Sequence, residues 1–314
     1  MPVDIEDVAV ILAVSLLFTV VVFGNALILW IIFTDRRFKS IQYIYYSSLA
    51  VADFLLGVTV LPFSLLNEIL GHWILSIWLC VAWLSMDVLL CTASILSLCL
   101  ISLDRFWLIR YPTKYSKSRR NAKLMVVGVW MLALVISLPS LYYLPSQEKT
   151  GEENFQCKLN QNLNYAIYSS TGSFFVPLLF ILVINASILS LTRRRAKMRQ
   201  QLAQRASVTE KSFQSPESIV QERKKRLNKQ QERKATLVLG LVVGAFVICW
   251  LPFFVTYLMR LKCHNCIPDR AFAFFFWLGY CNSAINPIIY SIFNQDFRET
   301  IKQVLAKLLC CRKS

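Results

Sequence analysis

Charge is scarce in this sequence, and acidic charge is scarcer than basic charge. Only 17% of the 314 residues are charged, with 18 acidic and 34 basic side chains, whereas 56% are hydrophobic. A soluble chain of this length would form about two domains. The apolar runs are too long and too frequent for that, and they indicate an integral membrane protein. The basic residues lie between these runs, as the positive-inside rule describes, so we expect no nucleic-acid partner.

Several signatures of other protein classes are also missing. No nucleophile–base pair or metal-ligating group stands out, so we do not expect an enzyme. The chain start lacks the basic segment of a secretory signal peptide, and the apolar run after it is too long for one. The absence of a long internal repeat weighs against a transporter built from inverted halves.

Seven apolar runs are long enough to cross a membrane as helices. The expected spans are 8–33, 41–66, a run that follows Cys80 and includes 86–106, 124–144, 162–191, 235–259 and 271–293. The predicted fold class is therefore all-α, a seven-transmembrane helix bundle over residues 8–293. Residues 1–7 form a short N-terminal segment, and residues 192–231 form a charged third cytoplasmic loop with helical ends.

The distribution of basic residues predicts the orientation of the bundle. Lys and Arg concentrate after the first, third and fifth spans and in the tail, which places the N-terminus outside and the C-terminus in the cytoplasm. Residues 294–314 form the tail, within which 297–309 are amphipathic and typical of a helix lying on a membrane surface.

The third span carries Asp87 near its start and Asp104 and Arg105 at its end. A carboxylate inside a membrane helix is disfavoured by roughly 2.5–3.5 kcal/mol, which favours a functional role. Asp87 and Arg105 lie about 27 Å apart at 1.5 Å per residue, so one helix joins an anionic site to a cationic site. Asp87 could pair with an internal base, but no Lys or Arg lies in the outer halves of the other spans except at their ends. We therefore expect a cationic ligand to supply the counter-ion.

Other side chains are predicted to complete a ligand site around Asp87. Ser169 and Ser173 lie one helical turn apart and could bond a ligand, although such serines can instead bond their own backbone. Aromatic residues next to the kinking Pro252 could contact a flat ring or a cation. The predicted ligand-binding residues are Asp87, Cys91, Ser169, Ser170, Ser173, Trp250, Phe253, Phe254, Trp277 and Tyr280.

A second buried carboxylate, Asp53, is predicted to lie deeper in the bundle. The small polar residues expected around it are Ser94, Asn282, Ser283 and Asn286. Such a cluster suits a sodium ion, held mainly by Asp53 and Ser94, or a proton, and the alternative is a hydrogen-bonded network of waters.

The cytoplasmic ends of the spans suggest a switch. Arg105, beside Asp104, could form an ion pair with Glu232 at the start of the sixth span, released when that span moves outward. Pro287 and Tyr290 on the seventh span mark another irregular helix that could rearrange.

The cysteines fall into three groups. Cys91, Cys99, Cys249 and Cys281 lie inside spans. Cys80, Cys157, Cys263 and Cys266 lie in segments on the predicted extracellular side, where oxidation is expected. A Cys80–Cys157 disulfide would staple a loop over the bundle, whereas Cys263 and Cys266 could form a disulfide or bind zinc with His264. Cys310 and Cys311 are candidate palmitoylation sites.

Taken together, these motifs resemble the rhodopsin-family (class A) G-protein-coupled receptors. The resemblance covers nearly the whole chain and is carried in order by Gly24-Asn25, Asp53, Cys80, Asp104-Arg105-Phe106, Trp130, Pro177, Cys249-Trp250-Leu251-Pro252, Asn286-Pro287-Ile288-Ile289-Tyr290 and Cys310-Cys311. It implies a plasma-membrane receptor that couples a ligand to heterotrimeric G proteins, contacts membrane lipids, and is regulated by arrestin and a receptor kinase.

Within that family the chain looks most like the aminergic branch. The segment around Asp87, the WLPFF of the sixth span and the YSSTGSFFVP of the fifth resemble dopamine, α-adrenergic and tyramine/octopamine receptors. Histamine, serotonin and trace-amine receptors are alternatives. Two positions depart from the family pattern, since Phe106 and Asn185 replace the usual tyrosines.

The sequence bears on two other functions. A light sensor would need a retinal-bearing lysine in 271–293, and none is present. An amine or ion transporter could use Asp53 and Asp87 as ion sites.

Overall fold

The computed structural model describes residues 5–111, 118–142, 157–209, 216–263 and 266–311. Within these ranges every regular element is a helix. Seven of the helices are long and apolar enough to cross a membrane, and a short helix follows the seventh. The predicted fold class is confirmed.

The helices are labelled in chain order, and two of them contain an irregular turn. The bounds are α1, Ile5–Thr34; α2, in two segments, Ile41–Thr59 and Leu61–Leu70; α3, Ile77–Arg110; α4, Arg119–Tyr142; α5, Leu163–Ser170, a π-helical turn Thr171–Phe175 and Val176–Thr209; α6, Pro216–Lys262; α7, Asp269–Phe293; and α8, Gln295–Cys311. A 3₁₀ turn, Arg36–Phe38, lies between α1 and α2.

Helix α3 lies at the centre of the bundle. Of its most apolar stretch 67% is buried, against 17% for α4 and 22% for α1. It packs against α2, α4 and α5. Because neighbouring helices surround α3, its polar side chains face protein rather than lipid, which explains how one span can carry Asp87, Ser94 and Asp104.

Prolines account for the irregular turns. Pro62 lies just after the break at Val60 in α2, and Pro177 lies just after the π-helical turn in α5. Proline has no N–H to donate and its ring clashes with the preceding turn, so the backbone before it rewinds locally. The turn at Thr171–Phe175 contains Ser173 and directly follows Ser170, so it sets how these side chains are presented.

The segment 192–231, predicted to be the third cytoplasmic loop, is helical over most of its length. Helix α5 continues to Thr209 and α6 begins at Pro216. Residues 192–231 are rich in Lys, Arg and Gln, which are good helix formers, so both helices extend beyond the apolar spans.

Helix α8 is held against the turn between α1 and α2. Phe297 is fully buried, and its ring centroid lies 4.6 Å from that of Phe38. Arg37 bonds Asp35 and donates to the Thr300 hydroxyl at 3.0 Å. The hydrogen bonds from Arg37 hold the pKa of the Asp35 carboxyl below its ordinary value, which keeps this link ionised.

Candidate functional site

A cavity of about 830 Å³, including its mouth, lies between α3, α5 and α6 at the end of the bundle where α3 begins. Of the ten predicted ligand-site residues, eight line the cavity: Asp87, Cys91, Ser169, Ser170, Ser173, Trp250, Phe253 and Phe254.

Asp87 is buried in the cavity wall, with 8% of its surface exposed. The Cys91 thiol donates to its Oδ1 at 3.5 Å, and the Tyr280 hydroxyl interacts with the same carboxylate. Among the described residues Asp87 has no ion-pair partner. A desolvated carboxylate without a counter-ion is costly, so the site favours a cation that arrives from outside.

Tyr280 and Trp277 lie outside the cavity lining. Tyr280 is fully buried behind Asp87, and its hydroxyl lies 3.3 Å from the Ser64 hydroxyl. Ser64 in turn accepts from Trp83 Nε1 at 3.3 Å. Tyr280 is therefore placed to orient the carboxylate, but it does not form a wall of the cavity.

The three serines of α5 differ in what their hydroxyls already bond. Ser173 Oγ donates to the Ser169 carbonyl at 2.6 Å, which is the backbone bond weighed as the alternative. Ser170 is fully buried, lines the cavity, and its Oγ has no hydrogen-bond partner. Burying a hydroxyl without a hydrogen-bond partner costs free energy. A ligand that bonds the Ser170 hydroxyl would remove this cost.

An aromatic cluster closes the inner end of the cavity. Phe174 of α5 stacks on Phe254 of α6 with centroids 4.3 Å apart, and Trp250 lies 5.9 Å from Phe254. Trp250 also packs flat against Gly279 of α7, where an added Cβ would lie 2.8 Å from the indole ring. Only glycine leaves room for the ring there, so α7 fixes the position of Trp250.

The polar cluster predicted around Asp53 is present. Asp53 is fully buried and accepts from Ser94 at 3.1 Å, Ser283 at 2.9 Å and Asn286 at 2.7 Å. The amide oxygens of Asn282 and Asn286 are buried without hydrogen-bond partners. The Asp53 carboxylate and the two hydroxyls bonded to it are oxygen ligands of the kind that suits a hard cation such as sodium.

The end of α3 that carries Arg105 is held by a contact that the sequence did not reveal. Arg105 Nη2 donates to Gln42 Oε1 at the start of α2 at 2.6 Å. Asp104 beside it is buried. Glu232 lies within α6, but its side chain is outside the described residues, as are those of Cys310 and Cys311 in α8 and all of His264.

Helix α7 packs tightly on α1 near this end. A Cβ added to Gly24 would lie 2.9 Å from Pro287. Tyr290 is buried with its hydroxyl unpartnered, and its ring lies 4.9 Å from that of Tyr46. On α5, Asn185 donates to the Ser102 hydroxyl at 3.3 Å, a link to α3 at one of the positions that departs from the family pattern.

Both predicted disulfides are formed. Cys80 is bonded to Cys157, with Cα atoms 5.9 Å apart, and Cys263 is bonded to Cys266. A disulfide sulfur is not a thiolate ligand, so the zinc alternative for Cys263 and Cys266 is not supported.

Several cavity residues were missed from the sequence: Leu84, Val88, Ser140, Lys158, Leu159, Asn160, Tyr165, Phe174, Phe246 and Tyr257. For three of these residues, the position in the sequence relative to predicted site residues or a predicted disulfide pointed to the cavity. Tyr257 is one turn from Phe253, Tyr165 is one turn from Ser169, and Lys158 directly follows a cysteine expected to be stapled at the mouth.

Comparisons with known proteins agree with this architecture. The model of the family described as 7 transmembrane receptor (rhodopsin family) matches residues 24–290. The chain is 37% identical to a probable G-protein coupled receptor No18 of Amphibalanus amphitrite, over 96% of this chain and 90% of that one. It is 33% identical to the alpha-2A adrenergic receptor of Danio rerio (94% and 92%) and 35% identical to the human 5-hydroxytryptamine receptor 1D (95% and 88%).

The family match extends over most of the chain, from the first span to the end of the seventh, and the relatives cover nearly its full length. These relatives are receptors, which confirms the prediction that the chain is not an enzyme. The chain belongs to the rhodopsin family of seven-transmembrane, G-protein-coupled receptors, and its relatives are of the aminergic type.

Proposed function

We propose that this receptor binds a biogenic amine in the cavity beside Asp87 and signals through heterotrimeric G proteins. The observation that carries the proposal is the buried Asp87 carboxylate, which lines the cavity and has no ion-pair partner among the described residues. A ligand ammonium would supply the missing charge in a charge-assisted hydrogen bond. The adrenergic and 5-hydroxytryptamine receptors among its relatives support an amine.

The finer assignment is dopamine or a related catecholamine or phenolamine. Its support is the unpartnered Ser170 hydroxyl, together with Ser169 and Ser173, on the helix that faces α3 across the cavity. The phenyl ring of such a ligand would contact Trp250, Phe253 and Phe254, and its ring hydroxyls would reach α5. Serotonin, histamine and trace amines are the alternatives.

The remaining assignments belong to the same proposal. The cavity end of the bundle and the N-terminus are extracellular, and the Arg105 end and the C-terminus are cytoplasmic. Movement of α6 away from Arg105 opens the site for the G protein, and a bound G protein tightens agonist binding by linkage. Arrestin and a receptor kinase act at the same face, and palmitate on Cys310 and Cys311 anchors α8.

A panel of amines tests this function directly. Dopamine, noradrenaline, octopamine, tyramine, serotonin and histamine are applied to cells expressing the receptor, and G-protein activation is measured against untransfected cells. We expect the phenylethylamines with ring hydroxyls to act at the lowest concentrations. Higher potency of histamine or serotonin would contradict the finer assignment alone, and no response to any amine would contradict the amine itself.

Replacing Ser170 should weaken hydroxylated ligands selectively. A neutral hydrogen bond contributes about 0.5–1.5 kcal/mol, so Ser170→Ala should lower the affinity of dopamine about two- to tenfold. Phenethylamine, which lacks ring hydroxyls, should be unaffected in the same competition assay. Ser173→Ala is the matched control, because the Ser173 hydroxyl already bonds the Ser169 carbonyl. A larger loss of dopamine affinity in Ser173→Ala than in Ser170→Ala would contradict the assignment of Ser170 as the more important serine.

We further propose that Asp53, Ser94, Asn282, Ser283 and Asn286 hold a sodium ion coupled to the agonist. Exchanging sodium for N-methylglucamine at constant ionic strength should change agonist affinity at least about fivefold, the lower end of typical allosteric coupling. Asp53→Asn should remove this dependence because it removes the ion's charged ligand. The measurement is agonist competition binding in both salts. Sodium dependence that persists in Asp53→Asn would contradict the sodium assignment.

A further inference from the structure

Two opposite charges line the same cavity. Asp87 belongs to α3 and is buried, whereas Lys158 belongs to the segment after Cys157 and is exposed at the mouth. Within the described residues neither side chain forms an ion pair, with the other or with a third group. Counting only the residues that the structure describes, the cavity presents an unpaired anion and an unpaired cation to whatever enters it.

Lys158 is attached to a segment that is fixed on both sides. Cys157, immediately before it, is bonded to Cys80 of α3. Two residues later, the Asn160 carbonyl accepts from the Tyr257 hydroxyl of α6 at 2.7 Å, and Asn160 Oδ1 accepts from the Asn162 backbone N–H at 2.7 Å. The backbone of Lys158 is thus tied to α3, α6 and the start of α5, which keeps this residue at the cavity mouth.

A ligand ammonium on Asp87 neutralises the anion and leaves the charge of Lys158 facing the cavity. A second positive group on the ligand is then repelled by the Lys158 ammonium, and a negative group is attracted by it. Aromatic and aliphatic walls lower the local dielectric and strengthen both effects.

We propose that Lys158 is a specificity-determining residue, which selects amines carrying one positive charge and an anionic or electron-rich second group over dications. This inference rests on the proposed amine function and adds the charge class of the ligand's far end. The competing interpretation is a solvated surface lysine that affects no ligand, and the anchored backbone and the cavity lining argue against it.

The expected effect of the Lys158 charge on ligand affinity follows from Coulomb's law. For unit charges ~10 Å apart at an effective dielectric between 20 and 80, removing one changes the affinity about two- to fifteenfold. Because Lys158 is exposed, salt should screen part of the effect, and the change should shrink when ionic strength rises from 0.05 M to 0.5 M.

Three matched ligands test the inference: 2-(4-methylphenyl)ethylamine, its 4-carboxyphenyl analogue and its 4-(aminomethyl)phenyl analogue. Their affinities are measured by competition binding on the full-length wild type and on Lys158→Gln, and expressed relative to the methyl compound. We expect Lys158→Gln to lower the relative affinity of the carboxylate and to raise that of the diamine. Lys158→Glu should move both ratios further in the same directions, and Lys158→Arg should leave them near the wild-type values.

The outcomes separate this inference from the function on which it rests. Unchanged ratios in Lys158→Gln and Lys158→Glu, with normal binding of the methyl compound, would overturn the role of Lys158 alone. An equal change in the affinity of all three ligands would indicate that Lys158 has a structural role, and it would also overturn the proposed role in specificity. If none of the three ligands binds the wild type, both the proposed amine function and the inference about Lys158 are overturned.

Discussion

Asp87→Asn should lower the affinity of an amine ligand about 100-fold or more. Truncating one partner of a buried, hydrogen-bonded charge pair costs about 2–5 kcal/mol or more, much of it because the other charge is left unpaired. Here the remaining charge is the ligand ammonium, in a cavity with no other described carboxylate in its lining. Asparagine is nearly the same size, so the loss reports charge rather than packing. The measurement is saturation or competition binding on purified receptor.

The same substitution should not destabilise the receptor without ligand. A neutral amide costs less to bury than a carboxylate that lacks a counter-ion, so the melting temperature of ligand-free Asp87→Asn should equal or exceed that of the wild type. Stabilisation by added amine should disappear, because stabilisation depends on binding.

Glu68→Gln provides the matched control for this experiment. Glu68 is an exposed carboxylate near the end of α2 on the same side of the bundle, and it does not line the cavity. It should keep wild-type affinity. Undiminished amine affinity in Asp87→Asn would remove the observation on which the proposed function depends.

Removing the Cys80–Cys157 disulfide should have the second largest effect. The bond joins buried residues and holds the segment that contributes Lys158, Leu159 and Asn160 to the cavity. Loss of a native disulfide typically costs 2–5 kcal/mol of stability. The double variant Cys80→Ser, Cys157→Ser should therefore melt at a lower temperature and bind amine at least about tenfold more weakly, because the segment must then be ordered on binding. Thermal unfolding and competition binding measure the two effects.

The second disulfide offers an internal comparison. Cys263 and Cys266 are separated by three positions and contribute nothing to the cavity lining. Their double serine variant should lose less stability, since the closed ring is short, and should retain affinity. Equal losses of affinity in the two double variants would contradict a specific role for the Cys80–Cys157 bond in shaping the cavity.

Much of this architecture was predictable from the sequence because a membrane imposes strong rules. Apolar length gave the seven spans, and buried charge singled out Asp53 and Asp87, each of which lies among polar side chains as expected. The fifth span's proline and serines, and the sixth span's proline and aromatics, were likewise close enough in sequence to be grouped.

The rotation of α7 was harder to predict. Trp277 and Tyr280 were predicted to be ligand-binding residues, but neither lines the cavity. Lipid-facing and protein-facing positions are both apolar in a membrane span, so composition says little about which face turns inward. Tyr280 lies behind Asp87, where its hydroxyl contacts the Ser64 hydroxyl of α2, which in turn accepts from Trp83 of α3. These contacts join distant parts of the chain.

Contacts made by loops and helix ends were the least predictable. The role of Asn160 depends on a backbone carbonyl that the Tyr257 hydroxyl reaches from α6, and no side-chain pattern encodes that. The Gln42 side chain gave no signal at all, since a glutamine at the start of a helix is unremarkable until Arg105 is found beside it.

That glutamine has a consequence for resting behaviour. A neutral amide holds a guanidinium less firmly than a carboxylate does, because the acceptor carries no opposing charge. Arg105 can therefore exchange Gln42 for carbonyl oxygens on an approaching protein at small net cost. We expect, as a consequence, measurable signalling in the absence of any agonist.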